Sequence, residues 1–260
     1  MQVSVFSIVF MAISAIISIG LPIALFIYIR KKHNAKYLPL IFGALAFIIF
    51  VLVLESLIHS LVFKAYPLKE HPLAYIIYGI FMAGVFEETA RFISFKILLR
   101  KKYSGVSTGL SYGIGHGGIE SALLAGVSMI VAIVFCILIN TGNIDVIIGK
   151  MQGKALDVIN SQINTLTITA PYMFLVSGLE RVFAIVIQIS LSMIVFYSVY
   201  SKDKIWLFPL AILIHAITDI PAAAMQVGVI KSIVLVEGLA GLSAVIVAVI
   251  AVNLHRNLKE

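Results

Sequence analysis

The sequence predicts an all-α fold, a polytopic bundle of about seven transmembrane helices, and three observations predict it. Of its 260 residues 61% are hydrophobic and only 12% charged, with a mean hydropathy of +1.10, whereas soluble domains carry about 25% charged residues. Apolar runs of roughly 20 residues or more recur along the whole chain, each long enough to cross a bilayer as a helix. Lys and Arg gather in alternate connections: eleven in one set, five in the other, and three (Arg91, Lys96 and Arg181) inside spans. That bias places the N-terminus outside and the C-terminus in the cytoplasm, in the cell membrane as a multi-pass protein. The net charge of +7 follows this topology and forms no basic stripe with interleaved aromatics, so the charge implies the bilayer and no nucleic acid. Residues 1–260 read as one transmembrane domain with a polar extracytoplasmic segment at 141–170.

The first apolar stretch, Val3 to Ile29, is too long for a signal peptide and lacks a basic leader, so it is the first span. Arg30, Lys31, Lys32 and Lys36 follow it. The second span, Leu38 to Phe63, holds Glu55 and His59 four apart, a spacing that predicts a satisfied pair near its outer end. The third, Leu73 to Leu99, carries Glu87, Glu88 and Arg91 and ends in Arg100, Lys101 and Lys102. Ser104 to Gly118 has six glycines among fifteen residues, which either let backbones approach closely or break the helix and raise the count to eight. A fourth span continues to about Asn140, with the lone Cys136 as a small core residue; one cysteine excludes an intrachain disulfide framework and a cysteine zinc cluster. In 141–170, Ile144, Ile147, Ile148, Met151, Ala155, Val158 and Ile159 suggest the apolar face of an amphipathic surface helix. The fifth span, Pro171 to Tyr200, contains Glu180, Arg181 and Gln188; the sixth, Ile205 to Met225, His215 and Asp219; the seventh is Ile230 to Leu254.

Charges at membrane depth are costly, about 2.5–3.5 kcal/mol each on insertion scales, so an intramembrane ionisable cluster points to function. Glu87 and Arg91 are four apart and Glu88 and Arg91 three apart, so one guanidinium reaches either acid. That leaves a carboxylate for a water, a metal or a substrate. His116 with Glu120, and His215 with Asp219, each place two ligand-type side chains on one helix face, about 6 Å apart along the axis. Four spans with paired polar motifs argue for one shared cavity, because each would otherwise need its own compensation. The chemistry on offer is hydrolysis: a Glu as general base on water, and His as a zinc ligand or a donor to an oxyanion. No serine stands beside either His to make a Ser-His-Asp relay.

The ordered set Glu87-Glu88-x-x-Arg91, His116-Gly-x-x-Glu120, Glu180-Arg181-x-x-Ala184 and His215-x-x-x-Asp219 resembles the motifs of the YhfC-like and PrsW-like intramembrane metalloproteases. These are related to the CAAX-protease and bacteriocin-processing (Abi) membrane proteases. The resemblance covers about half the chain. It implies Glu87 or Glu88 as the water-activating carboxylate, with Arg91, Glu180, Arg181 and Asp219 completing the catalytic set. It also implies His116 and His215 as metal ligands or oxyanion donors, and His116, Glu120 and His215 are the candidate ligands if the metal is zinc. Departures from the pattern are Tyr112 in place of Phe, a shorter acid-to-arginine spacing than in the prenyl-protease branch, and Gln188 where a further His is expected.

The expectation is therefore an intramembrane endopeptidase that cleaves a membrane-embedded or amphipathic peptide in a cavity opening toward the cytoplasmic half of the bilayer. Two other classes use the same residues. A proton-coupled transporter would use them as a relay, against which stands the absence of an internal repeat. A non-catalytic binding or immunity protein derived from such proteases is the other, and Gln188 is its hint.

Overall fold

The computed structural model describes residues 2–100, 102–149 and 151–257; Lys101, Lys150 and Lys259, which enter the charge tally, lie outside them. Among the described residues seven helices are long and apolar enough to span a membrane. In chain order they are α1 (Val5–His33), α2 (Tyr37–Ala65), α3 (Pro72–Leu99), α4 (Val106–Asn140), and, after a shorter helix α5 (Lys154–Ile168), α6 (Pro171–Tyr200), α7 (Leu207–Gln226) and α8 (Ile233–Asn257). Three of them widen into π-helical turns, at Phe47–Glu55 in α2, Ser94–Leu99 in α3 and Ala122–Val127 in α4. Such turns often mark functional positions because they shift a helix's register by one residue.

Local chemistry sets the ends. Pro72 opens α3, where its missing N–H costs nothing. Gly228, at φ +74°, closes α7 in the left-handed conformation a side chain disfavours, and Val229 N then donates to Ala224 O at 2.9 Å. The many exposed apolar side chains of α1, α2 and α8, such as Ile16, Leu57 and Val245, are what hydrocarbon requires of a span's outer surface.

The glycine stretch does not break a span. Helix α4 runs unbroken from Val106 to Asn140, and its glycines admit neighbouring backbones. A Cβ on Gly115 would lie 2.0 Å from Leu40 O, and one on Gly43 would lie 2.1 Å from Tyr112 O, so α2 and α4 cross with both backbones in contact. On the next faces, Gly113 meets Ile189 and Gly117 meets Gln188 of α6. Without a hydrophobic drive between helices in lipid, this close approach is a main source of adhesion. Gly43→Ala should therefore lower stability by about 2 kcal/mol or more. Gly79→Ala, where nothing lies within 4 Å, should be neutral or stabilise by up to about 1 kcal/mol; thermal melting of both variants in detergent checks the contrast.

The chain packs as two compact units, one from residues up to 21 with 121–182, the other from 22–120 with 183 onward. In the first, Val3, Met11, Cys136, Ile139 and Phe174 form the core. Asn140 brackets Val3, accepting from its N–H at 2.7 Å and donating to its C=O at 2.9 Å. Pro22 deprives Ser18 O of its helical donor, and the Ser121 hydroxyl supplies one at 3.0 Å. Polar residues 141–170 form a single turn, Asp145–Ile148, and α5. The half-buried face of α5 is Leu156, Ile159, Ile163 and Leu166. The expected face is displaced, since Ala155 and Val158 are exposed, because the helix starts at Lys154 and its phase is not that of Ile144–Ile148.

In the second unit α3 packs along α7, and the π-turn of α2 packs on α3. Its core, Phe95, Leu99, Tyr112, Leu191, Ile194, Phe196, Leu207 and Ala211, lies on one side of the polar residues described next.

Candidate active site

Arg91, wholly buried, organises the site through four hydrogen bonds. Nε donates to Ser192 Oγ at 3.1 Å, Nη1 to Glu88 Oε1 at 2.6 Å, and Nη2 both to Glu87 Oε2 at 3.2 Å and to Gln188 Oε1. The i+3 and i+4 spacing on α3 makes the first two acid contacts local, as the sequence predicts; α6 supplies the other two. A buried guanidinium bonded this way holds two carboxylates at once and leaves one negative charge for other groups to answer.

Both acids then meet an imidazole from another span. His116 Nε2 lies 2.9 Å from Glu87 Oε2, and His215 Nδ1 lies 2.7 Å from Glu88 Oε1. The sequence leaves one carboxylate free for a partner; here each acid has one. Ionised carboxylates only accept, so the facing ring nitrogens carry the protons. His215 Nε2 thus stands 3.5 Å from Asp219 Oδ2 and 3.9 Å from Glu87 Oε1. Both gaps exceed a good hydrogen bond and suit a bridging water.

Gln188 is the unexpected centre of the arrangement. Arg91 demands an acceptor, so Oε1 faces the guanidinium and Nε2 faces two acids, Glu87 Oε2 at 3.0 Å and Glu120 Oε2 at 2.6 Å. With its amide fixed this way Gln188 donates to the acids and is no metal ligand. It braces Glu87 and Glu120 side by side.

Glu87, His116 and Glu120 each present a ligand atom within 4.8 Å of the others. Two carboxylate oxygens and an imidazole nitrogen are a donor set suited to zinc or another divalent ion. His116 Nδ1 is buried with no hydrogen-bond partner, an orphaned atom within the group. The residues therefore fit a metal. His215, expected among the ligands, is hydrogen-bonded through Nδ1 to Glu88, and Glu87, expected among the catalytic acids, joins the metal-capable group. Glu180 and Arg181 form an ion pair with one another on the part of α6 that belongs to the other unit.

Sequence reasoning missed Ser192 and the reach of Glu55. Ser192 is four residues beyond Gln188, on the same helix face, and that spacing was its available signal. Glu55 makes the expected contact with His59 Nε2 at 3.1 Å, and His59 Nδ1 reaches Tyr78 Oη at 2.8 Å. Yet its second oxygen is buried without a partner.

A model of the YhfC intramembrane metalloprotease family matches residues 17–240. A protein of Bacillus subtilis (strain 168), described as an uncharacterized membrane protein YhfC, is 35% identical over 255 residues, which covers 96% of this chain and 94% of that protein. No solved structure matches.

Proposed function

Because this chain belongs to the YhfC intramembrane metalloprotease family, we propose that it is an endopeptidase hydrolysing a peptide bond of a membrane-embedded or amphipathic substrate. The observation that carries this reading is the buried, continuously hydrogen-bonded set Glu87, Glu88, Arg91, His116, Gln188 and His215, drawn from four spans. A purely structural ion pair needs no such convergence.

Hydrolysis adds one water across the bond, its oxygen to the carbonyl carbon and a proton to the departing amine. Glu88 fixes the His215 ring through Nδ1, so that Nε2 faces the gap toward Asp219 and Glu87. Held there, Nε2 takes a proton from the attacking water and returns it to the amine, a role worth about 10²–10⁴ in rate. Arg91 keeps Glu87 and Glu88 from moving or repelling one another. A divalent ion held by Glu87, His116 and Glu120 would supply a Lewis acid for the scissile carbonyl. Gln188 keeps two of those groups adjacent.

The test combines cleavage and metal content. Protein reconstituted in liposomes with a transmembrane peptide should cleave it, and His215→Ala should not. Elemental mass spectrometry should find near-stoichiometric divalent metal in the parent and none in His116→Ala. Cleavage undiminished in His215→Ala would remove the assigned proton carrier, and metal retained in His116→Ala would remove the assigned ligand.

A further inference from the structure

The cluster is closed on one side. Four residues beyond Arg91 comes Phe95, four before His116 comes Tyr112, and four before His215 comes Ala211, all with no exposed surface. Leu99, Leu191, Ile194 and Leu207 continue the seal, also fully buried. Phe95 packs on Tyr112 at 4.7 Å and on Phe196 at 5.6 Å between centroids. All of these lie toward the end of the bundle where residues 100–105 and 201–206 connect the helices. The polar side chains at that end, Ser94, Thr108, Ser111, Tyr112 and Ser198, are themselves buried.

Toward the opposite end, where 66–71 and 227–232 connect the helices, polar side chains continue and become exposed. That end is tied by Tyr75 Oη, which donates to Gln226 Oε1 at 2.7 Å. Side-chain exposure rises from 0% at Glu88 through 4% at His215 and 8% at Glu87 to 30% at His59 and 38% at Asp219. Between His59 and the cluster stands Glu55, the last residue of the π-turn in α2, with one oxygen on His59 and the other buried and unpaired. A buried carboxylate oxygen with no protein partner is a place where a water belongs. A row of ionisable groups turned toward hydrocarbon would be costly, so the exposed side chains face water or substrate.

We infer that water reaches the site from the end bearing 66–71, along a polar path lined by Glu55, His59, Tyr78 and Asp219. The inference rests on the hydrolase reading for its purpose, since each cleavage consumes one water that the bilayer does not supply. It reverses the sequence-based expectation of an opening toward the connections rich in Lys and Arg.

One-sided labelling tests the path without requiring cleavage. In a Cys136→Ala background, the Asp219→Cys variant in proteoliposomes is treated with the membrane-impermeant thiol reagent methanethiosulfonate ethyltrimethylammonium. Lys69→Cys and Arg100→Cys variants identify the two sides. Asp219→Cys should react from the Lys69 side, and adding His59→Trp should slow it about tenfold, equivalent to a barrier higher by about 1.4 kcal/mol. Glu55→Leu provides a second block that removes a buried carboxylate whose partner, His59, is itself partly exposed, and so is expected to fold; it should slow labelling similarly and lower kcat while leaving KM unchanged. Labelling from the Arg100 side, or at equal rates with and without both blocks, overturns the path. Labelling as expected in a parent that cleaves nothing overturns the hydrolase reading and supports the path; cleavage with labelling from the Arg100 side does the reverse.

Discussion

An Arg91→Met variant is expected to melt roughly 10 °C or more below the parent, the equivalent of about 3–5 kcal/mol for breaking a buried ion pair. The reason is the number of groups that one side chain satisfies. Without it Glu87 and Glu88 face each other in a dry interior with no cation, and Ser192 and Gln188 each lose a partner. Arg91→Lys keeps the charge but has no planar fork to reach both acids, Gln188 and Ser192 together, so it should fall between the two. Removing the charges together, by Glu87→Gln, Glu88→Gln and Arg91→Met combined, should recover much of the loss, because a neutral interior has no stranded ion. Melting of the three variants in detergent measures this. A single Arg91→Met that melts with the parent would mean the cluster is wetter and looser than its hydrogen bonds imply.

Glu87→Gln is expected to reduce cleavage by about a thousandfold or more, the range for loss of a catalytic contact made at the reacting centre. Glu87 Oε2 accepts from Arg91, His116 and Gln188, while Oε1 faces His215 Nε2. An amide of the same shape can keep its oxygen toward Arg91, His116 and Gln188, but its NH2 then faces His215 Nε2 and competes for the lone pair that takes the proton of water, while the site loses the carboxylate's negative charge. The fold should survive, since Glu88 still pairs with Arg91, and an unshifted size-exclusion profile checks that. Loss of activity with a normal profile separates chemistry from packing. Full activity would move the reacting centre away from Glu87.

Much of this was legible in the chain because the informative contacts are local. Glu87, Glu88 and Arg91 assemble on one helix by the 3.6-residue period alone, and seven apolar stretches of bilayer length declare the spans. The rest depends on which residues meet between helices. Periodicity pairs Glu55 with His59 and stops there; it says nothing of the other oxygen, because the π-turn of α2 and its packing on α3 decide where that points. Gln188 was conspicuous only as a missing histidine. Its actual role needs Arg91 on one edge and Glu120 on the other, contacts 97 and 68 residues apart. The glycines of α4 read equally well as a break or a close crossing, and only the presence of Leu40 and Ile189 opposite them decides.

The self-contained pairing on α3 also bears on how the chain is made. Among the seven spans α3 is the least apolar, and it must enter the bilayer before α4, α6 and α7 have been synthesised. The histidines that finally answer its two acids are therefore absent at that moment. Arg91 is not, and by closing on the acids one turn away it leaves a single uncompensated carboxylate for insertion machinery to tolerate. Co-translational delivery of this segment thus depends on the arginine before any partner helix exists.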